Sequence, residues 1–252
     1  MYQTLFALIG LLFAAALSAE PVPPPPLPVL QIAIGENRMP YVSVDTQSGI
    51  EYELLTRALH EAGYGIAVHF VPNKRAYLQF ARGELDAIIV TEGGIVSAPY
   101  IAYRNMAITL CDQQISLHKP ADLASYQTGA FNSANKFLGK DFARIAQDPK
   151  HYREISPQKL LNRMLWAQRI DVAVADINIF QHDQAEVDPE GSKPLCPFAL
   201  FAPTLYRLEF RDPTVRDRVN QVLSQLRASG FYEALAKKYK APLDKQRPYF
   251  KP

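Results

Sequence analysis

The run Val172 to Ala175 is apolar without interruption and ends on a carboxylate, Asp176. A charge placed directly after a buried strand needs a reason. It can cap a helix that opens at Ile177, or it can accept hydrogen bonds from a cationic group. Gly129-Ala130-Phe131-Asn132-Ser133 precedes a helix containing Phe137 and Leu138. Backbone N–H groups at such a helix start can hold an anion, and the alternative is a plain capped turn. Glu92 stands in the loop Thr91-Glu92-Gly93-Gly94. It would suit proton transfer only if burial raised its pKa. Tyr41, Tyr100 and Phe131 are the aromatics that could stack on a ligand or receive a cation, although aromatics are more often core. The five histidines are scattered and no C-x-x-C occurs, so spacing picks out no metal site and no nucleophile–base set.

These residues must be positioned by strands and helices that the apolar periodicity predicts. Val29–Ile34 reads as a strand, followed by a polar loop through Glu36 to Tyr41. Gly49 to Ala62 reads as a helix with Leu54, Leu55, Ala58, Leu59 and Ala62 on one face and Gly63 as its stop. Ile66–Val71 is the next strand, and Asn73 is expected to cap a helix whose apolar positions are Ala76, Tyr77, Phe80 and Ala81. That helix turns at Gly83 into the strand Ala87–Val90. Such βαβαβ order implies a parallel sheet. Met106–Leu110 is a further strand, and Ser156-Pro157 is expected to start a helix that reaches Trp166. Leu205–Phe210, a helix from Asp212-Pro213 to Gly230, and a last helix over Phe231–Tyr239 complete the chain. In open α/β sheets ligands bind beyond the carboxyl ends of the strands. Here those ends are the Glu36–Tyr41, Thr91–Gly94 and Gly129–Ser133 loops and Asp176.

Composition narrows the function classes. The net charge of +2 over 252 residues argues against a strong electrostatic commitment to nucleic acid or to an acidic membrane. Leu5–Leu17 is an apolar run short of the ~20 residues of a membrane span, and it ends in small residues suited to signal-peptidase cleavage. Residues 1–19 are therefore expected to be a signal peptide and 20–28 a proline-rich linker. The alternative is an uncleaved anchor. Cys111 and Cys196 would remain after export, and in an oxidising periplasm a lone pair is more often a disulfide than a metal site.

Two segments share a theme: RAYLQFARGELDAIIV, Arg75 to Val90, and LLNRMLWAQRIDVAVAD, Leu160 to Asp176. Each is a helix feeding a buried strand through a short link that ends in Asp-Ala or Asp-Val, Gly83-Glu84-Leu85-Asp86-Ala87 in the first and Arg169-Ile170-Asp171-Val172 in the second. Together with Ser97-Ala98-Pro99-Tyr100 and the C-terminal "helix, Gly, aromatic, helix, Lys-Tyr" order, they resemble bacterial periplasmic solute-binding proteins of type II fold, the branch of polar amino-acid binders. The resemblance implies an α/β Venus-flytrap fold of two lobes, each a mostly parallel sheet flanked by helices. Lobe 1 would comprise residues 29–104 and 206–252, and lobe 2 residues 105–205. It implies that Asp176 accepts a ligand ammonium and raises Tyr100 as a ligand contact. The family's carboxylate-gripping Arg, expected between the fourth strand and S-x-P-Y, is missing from Thr91–Val96. Arg75 or Arg104 would have to replace it, and the alternative for both is a solvated surface Arg.

The expectation is a monomeric, non-enzymatic periplasmic binder that needs no cofactor. It would close over a small polar, amino-acid-like solute and present it to an ABC-transporter permease or a membrane sensor. Tyr41, Arg75, Glu92, Tyr100, Phe131, Asn132 and Asp176 are expected to line one inter-lobe cleft. The competing readings are an enzyme of cyclohexadienyl dehydratase type, with Glu92 moving the proton, and an adaptor that binds another protein at its rim.

Overall fold

The computed structural model describes residues 26–35 and 37–252. The expected signal peptide and most of the proline-rich linker lie outside the described residues.

The first sheet is built from β1 (Val29–Ile34), β2 (Gly65–Phe70) and β3 (Ala87–Val90), which pair in parallel. They alternate with α1 (Ile50–Glu61) and α2 (Asn73–Ala81). β4 (Ile101–Tyr103) then leads in one step to β5 (Asn105–Leu110), which belongs to a second sheet. There follow β6 (Thr128–Phe131), α3 (Ala134–Phe137), α4 (Lys140–Ile145), β7 (Tyr152–Ile155), α5 (Leu160–Trp166), β8 (Val172–Asp176), α6 (Ile177–Val187) and β9 (Leu195–Phe198). β10 (Thr204–Phe210) returns to the first sheet, and α7 (Pro213–Ala228) and α8 (Phe231–Lys238) pack beside it. A small hairpin, Leu243–Asp244 with Arg247–Pro248, precedes the C-terminus.

The strands thus sort into two five-stranded sheets, β2-β1-β3-β10-β4 and β7-β6-β8-β5-β9. In each, three strands run in parallel and the crossover strands run antiparallel to them. This is a two-lobed α/β architecture, and the chain passes between the sheets at Arg104 and again before Thr204.

The repeated "D" before β3 and β8 has one physical job in both sheets. Asp86 accepts the N–H of Gln31 at 2.7 Å, and Asp171 accepts the N–H of Gln127 at 2.8 Å. Each carboxylate satisfies a backbone amide on the chain beside it, Gln31 within β1 and Gln127 just ahead of β6, and so ties its own strand to that neighbour.

The apolar face of α1, Leu54, Leu55, Ala58 and Leu59, is fully buried against α7 and the first sheet. Burying each leucine contributes about 2 kcal/mol, which is why the 3.6-residue period predicts this helix well. α2 differs. Ala76 is buried and Phe80 packs partly buried on the cluster of Ala33, Leu85, Ile88 and Val90, while Tyr77, Leu78 and Ala81 are exposed, so only part of its apolar stripe is a core face. Asn73 is its first residue rather than its cap. The amides of Arg75 and Ala76 turn back to the carbonyl of Pro72 instead. α5 starts at Leu160, after Ser156-Pro157, because Leu160 and Leu161 close tight turns onto the carbonyls of Pro157 and Gln158.

Cys111 and Cys196 form a disulfide, with Cα atoms 5.1 Å apart. Among the described residues no helix is long and apolar enough to cross a membrane.

Candidate functional site

A cleft of about 510 Å³ lies between the sheets. Elements of the first sheet contribute Arg38, Asn73, Tyr77, Ile89, Val90, Thr91, Tyr103, Thr204 and Tyr206. The second contributes Asn105, Phe131, Asn132, Phe137, Gln158, Asp176 and Ile179. Val90, Thr91, Tyr103, Phe131, Asn132 and Asp176 stand at or just past the carboxyl ends of strands, where side chains can meet a solute.

The floor is a buried tyrosine network. The Tyr41 ring stacks on Tyr103 with centroids 4.1 Å apart and planes 12° apart, and Tyr206 meets Tyr103 edge-on at 4.8 Å. The Tyr103 hydroxyl donates to Glu51 at 2.9 Å, and the Tyr100 hydroxyl donates to the other Glu51 oxygen. Glu51 is 2 % exposed, so two hydroxyl donors answer its carboxylate inside the core.

Asp176 joins the two sides. It is the N-cap of α6 and accepts the N–H of Asn178 at 3.0 Å and of Ile179 at 3.1 Å. It also accepts the N–H of Arg104 at 2.8 Å. The Tyr41 hydroxyl reaches across from the first sheet and donates to both oxygens, at 3.0 and 3.1 Å. In turn the Asn178 side-chain amide donates to the Tyr41 oxygen at 2.7 Å. These contacts fill the four lone-pair positions of a carboxylate. The cap alternative therefore accounts for Asp176, and no acceptor position is left for a ligand ammonium.

Burial pushes the Asp176 carboxyl up from 3.8 to about 6, against the hydrogen bonds from Ile179, Tyr41, Arg104 and Asn178, which lower it. An acid whose folded pKa is raised stabilises the fold most below its unfolded pKa. That contribution is lost as pH rises through the folded value, here over about pH 3.8 to 6. Asp176→Asn removes the titration. Wild type should thus gain about 2 kcal/mol over this variant between about pH 7 and pH 4.5, read from urea unfolding at both. A difference that stays flat with pH would mean that Asp176 is ionised throughout.

Arg38 is the lone Lys or Arg among the cleft-lining residues. Its guanidinium lies over the Tyr103 ring at 5.2 Å from the centroid. Gly35 leaves it room, since a Cβ there would stand 3.2 Å from the Arg38 Nη2 atom. Tyr103 holds the guanidinium protonated, burial works the other way, and Glu51 adds to the first effect.

Of the seven residues expected in the cleft, Phe131, Asn132 and Asp176 line it. Tyr41 lies beneath, fully buried, with its hydroxyl spent on Asp176. Tyr100 is core, its hydroxyl on Glu51. Arg75 is exposed and points off the lining, because α2 turns Asn73 and Tyr77 inward instead. Glu92 is exposed and outside the lining. Arg104 spends its Nε–H on the Tyr249 carbonyl at 2.6 Å. Gly129 and Ala130 are strand rather than loop, and the amides of Ser133 and Asn135 already bind the Glu154 carboxylate at 2.7 and 3.2 Å. Arg38, Tyr103 and Tyr206 were missed. Arg38 stands in the Glu36–Tyr41 strand-end loop, where nothing in its type or spacing separates it from a solvated arginine.

No protein-family model matches the chain, and no curated protein matches it significantly by sequence. Solved structures do match in shape. Substrate-binding domain 2 of Lactococcus lactis GlnP, in an open conformation, superposes with a TM-score of 0.62 at 17% identity, over 87% of this chain and 99% of that one. A histidine kinase sensor domain with similarity to periplasmic binding proteins gives 0.60 at 17% identity, over 85% and 96%. The GluR0 ligand-binding core in complex with L-glutamate gives 0.63 at 12% identity, over 84% and 97%. The fold is that of the periplasmic solute-binding proteins of type II.

Proposed function

We propose that this protein is an exported solute-binding protein whose lobes close over a small solute and present it to a membrane transporter or sensor. The observation that carries the reading is the cleft, which polar and aromatic side chains line from both sheets. A solute that touches both sides stabilises the closed arrangement, and that differential affinity is what drives a hinge. The lobes proposed are residues 29–104 with 206–252 and residues 105–205, hinged where the chain crosses between sheets. The fold is shared with a transporter substrate-binding domain and with a sensor domain, which supports either kind of partner. The disulfide supports an oxidising compartment, in line with a cleaved leader over residues 1–19 and a monomer in the periplasm. No observation favours the dehydratase reading, whose proton-transfer residue Glu92 is exposed and off the cleft.

The test is to purify the exported protein, denature it and identify released small molecules by mass spectrometry. The identified solute, added back to stripped protein, should raise the melting temperature saturably and reduce the radius of gyration in solution scattering. A solute that is consumed rather than held would overturn the reading in favour of an enzyme.

A further inference from the structure

The cleft carries more information about its solute than the fold does. Resting on the solute-binding reading, we infer that the ligand is an aromatic carboxylate without an ammonium group. A free amino acid, which has one, is a poor fit.

Three features lead there. The first is Arg38. It lines the cleft with its guanidinium over Tyr103, and among the described residues it makes no side-chain hydrogen bond and no ion pair, the buried Glu51 carboxylate acting on it only at longer range. A guanidinium fixed by a ring and left with its N–H fork open is matched by a carboxylate, which accepts two parallel hydrogen bonds. Gln158 adds a neutral donor from the other lobe, since its side-chain nitrogen is buried without a partner while the residue lines the cleft. Both unspent groups are donors, and both ask for an acceptor on the ligand.

The second feature is the state of Asp176. It is the lone Asp or Glu among the lining residues, it is 3 % exposed, and hydrogen bonds from Asn178, Ile179, Arg104 and Tyr41 fill it. An incoming ammonium would have to displace the Tyr41 hydroxyl, which is held in place by its stack on Tyr103. Short of that, the ammonium is left with neutral amides and hydroxyls, and it loses the charge-assisted bond that would offset its desolvation.

The third is the apolar lining. Tyr77, Tyr103 and Tyr206 line it from the first sheet's side and Phe131 and Phe137 from the second's. Phe137 is 71% exposed and Tyr77 47%. Such exposure is costly unless closure covers it. A flat ring entering between the two sides would stack on rings from both lobes and bury these two rims. The same ligand would then place its carboxylate on Arg38, at the ring set's polar edge.

The experiment compares matched pairs that differ only in the ammonium group: phenylpropanoate with L-phenylalanine, hydroxyphenylpropanoate with L-tyrosine, and indolepropanoate with L-tryptophan. Each is titrated calorimetrically into stripped protein. The acids should bind at least about tenfold more tightly than their amino counterparts, since only the latter strand a charge. Arg38→Met should weaken the acids by about tenfold or more, and Arg38→Lys by less, with the melting temperature of the unliganded protein kept. Amino acids that bind as well as the acids, or acids that fail to bind at millimolar concentration, would overturn the inference. So would acid binding that is unchanged in Arg38→Met. If the solute released from the purified protein bears an ammonium group, the ligand class falls while the solute-binding reading stands. A chain that releases no solute and binds neither series counts against both.

Discussion

Replacing Cys111 and Cys196 together by serine should lower the free energy of unfolding by about 4.5 kcal/mol, the loop-entropy value for a closed loop of this length. The two cysteines are 85 positions apart, and the chain between them contains β6, β7 and β8, the rest of the second sheet. Without the bond, the unfolded second lobe regains the freedom of that loop. On the native side β9 is an edge strand that pairs with β5 alone, with Cys196 opposite Thr109. The bond pins that edge where β5 ends. For a chain of this size the loss corresponds to a fall in melting temperature on the order of 10 °C. Calorimetry of the double variant, and of wild type with and without reductant, measures it. The transition assigned to the second lobe should move, and that of the first should stay. A loss under about 1 kcal/mol would show that β9 packing holds the edge without help.

Gly49→Ala should cost at least about 3 kcal/mol, through strain and collision acting together. Gly49 has φ of 120°, a region that side chains rarely adopt. A Cβ there would stand 2.2 Å from the Tyr41 carbonyl oxygen and 2.8 Å from the Val42 nitrogen. Both are backbone atoms, so no rotamer change relieves the contact. The same segment is tied to the start of α1, with Ile50 N–H on the Pro40 carbonyl at 2.8 Å and Glu51 N–H on the Tyr41 carbonyl at 2.9 Å. Forcing it outward unseats Tyr41 from Asp176 and moves Arg38 with it. Gly63→Ala is the control, because Gly63 has φ of 90° but nothing within 4 Å of an added Cβ. It should cost only about 1 kcal/mol. Equal losses in the two variants, by urea titration, would mean that the collision at Tyr41 is relieved by backbone movement.

The architecture is legible in local patterns of the chain. Period 3.6 in α1 and α7, unbroken apolar runs in β3 and β8, and the twin Asp86 and Asp171 motifs are local signals, written within one element or between neighbours. They are sufficient because burial of an apolar face dominates the energy of each element. The cysteine pair was legible as a candidate disulfide, but its closure depended on β5 and β9 being neighbours. The cleft was legible as a set of strand ends and not as a set of side chains. Which residue of a loop faces the solute depends on where its neighbours spend their polar groups. Tyr41 and Tyr100 have the right type and place, yet Asp176 and Glu51 take their hydroxyls. Arg38 looks like an ordinary surface arginine until Tyr103, 65 positions away, lies beneath it. Asp176 reads equally well as a ligand contact or a cap, and only the convergence of Tyr41, Arg104, Asn178 and Ile179 on its two oxygens decides for the cap. Elements follow from local periodicity, whereas a site follows from long-range competition for hydrogen bonds and ring faces. That competition takes place only once the lobes are assembled.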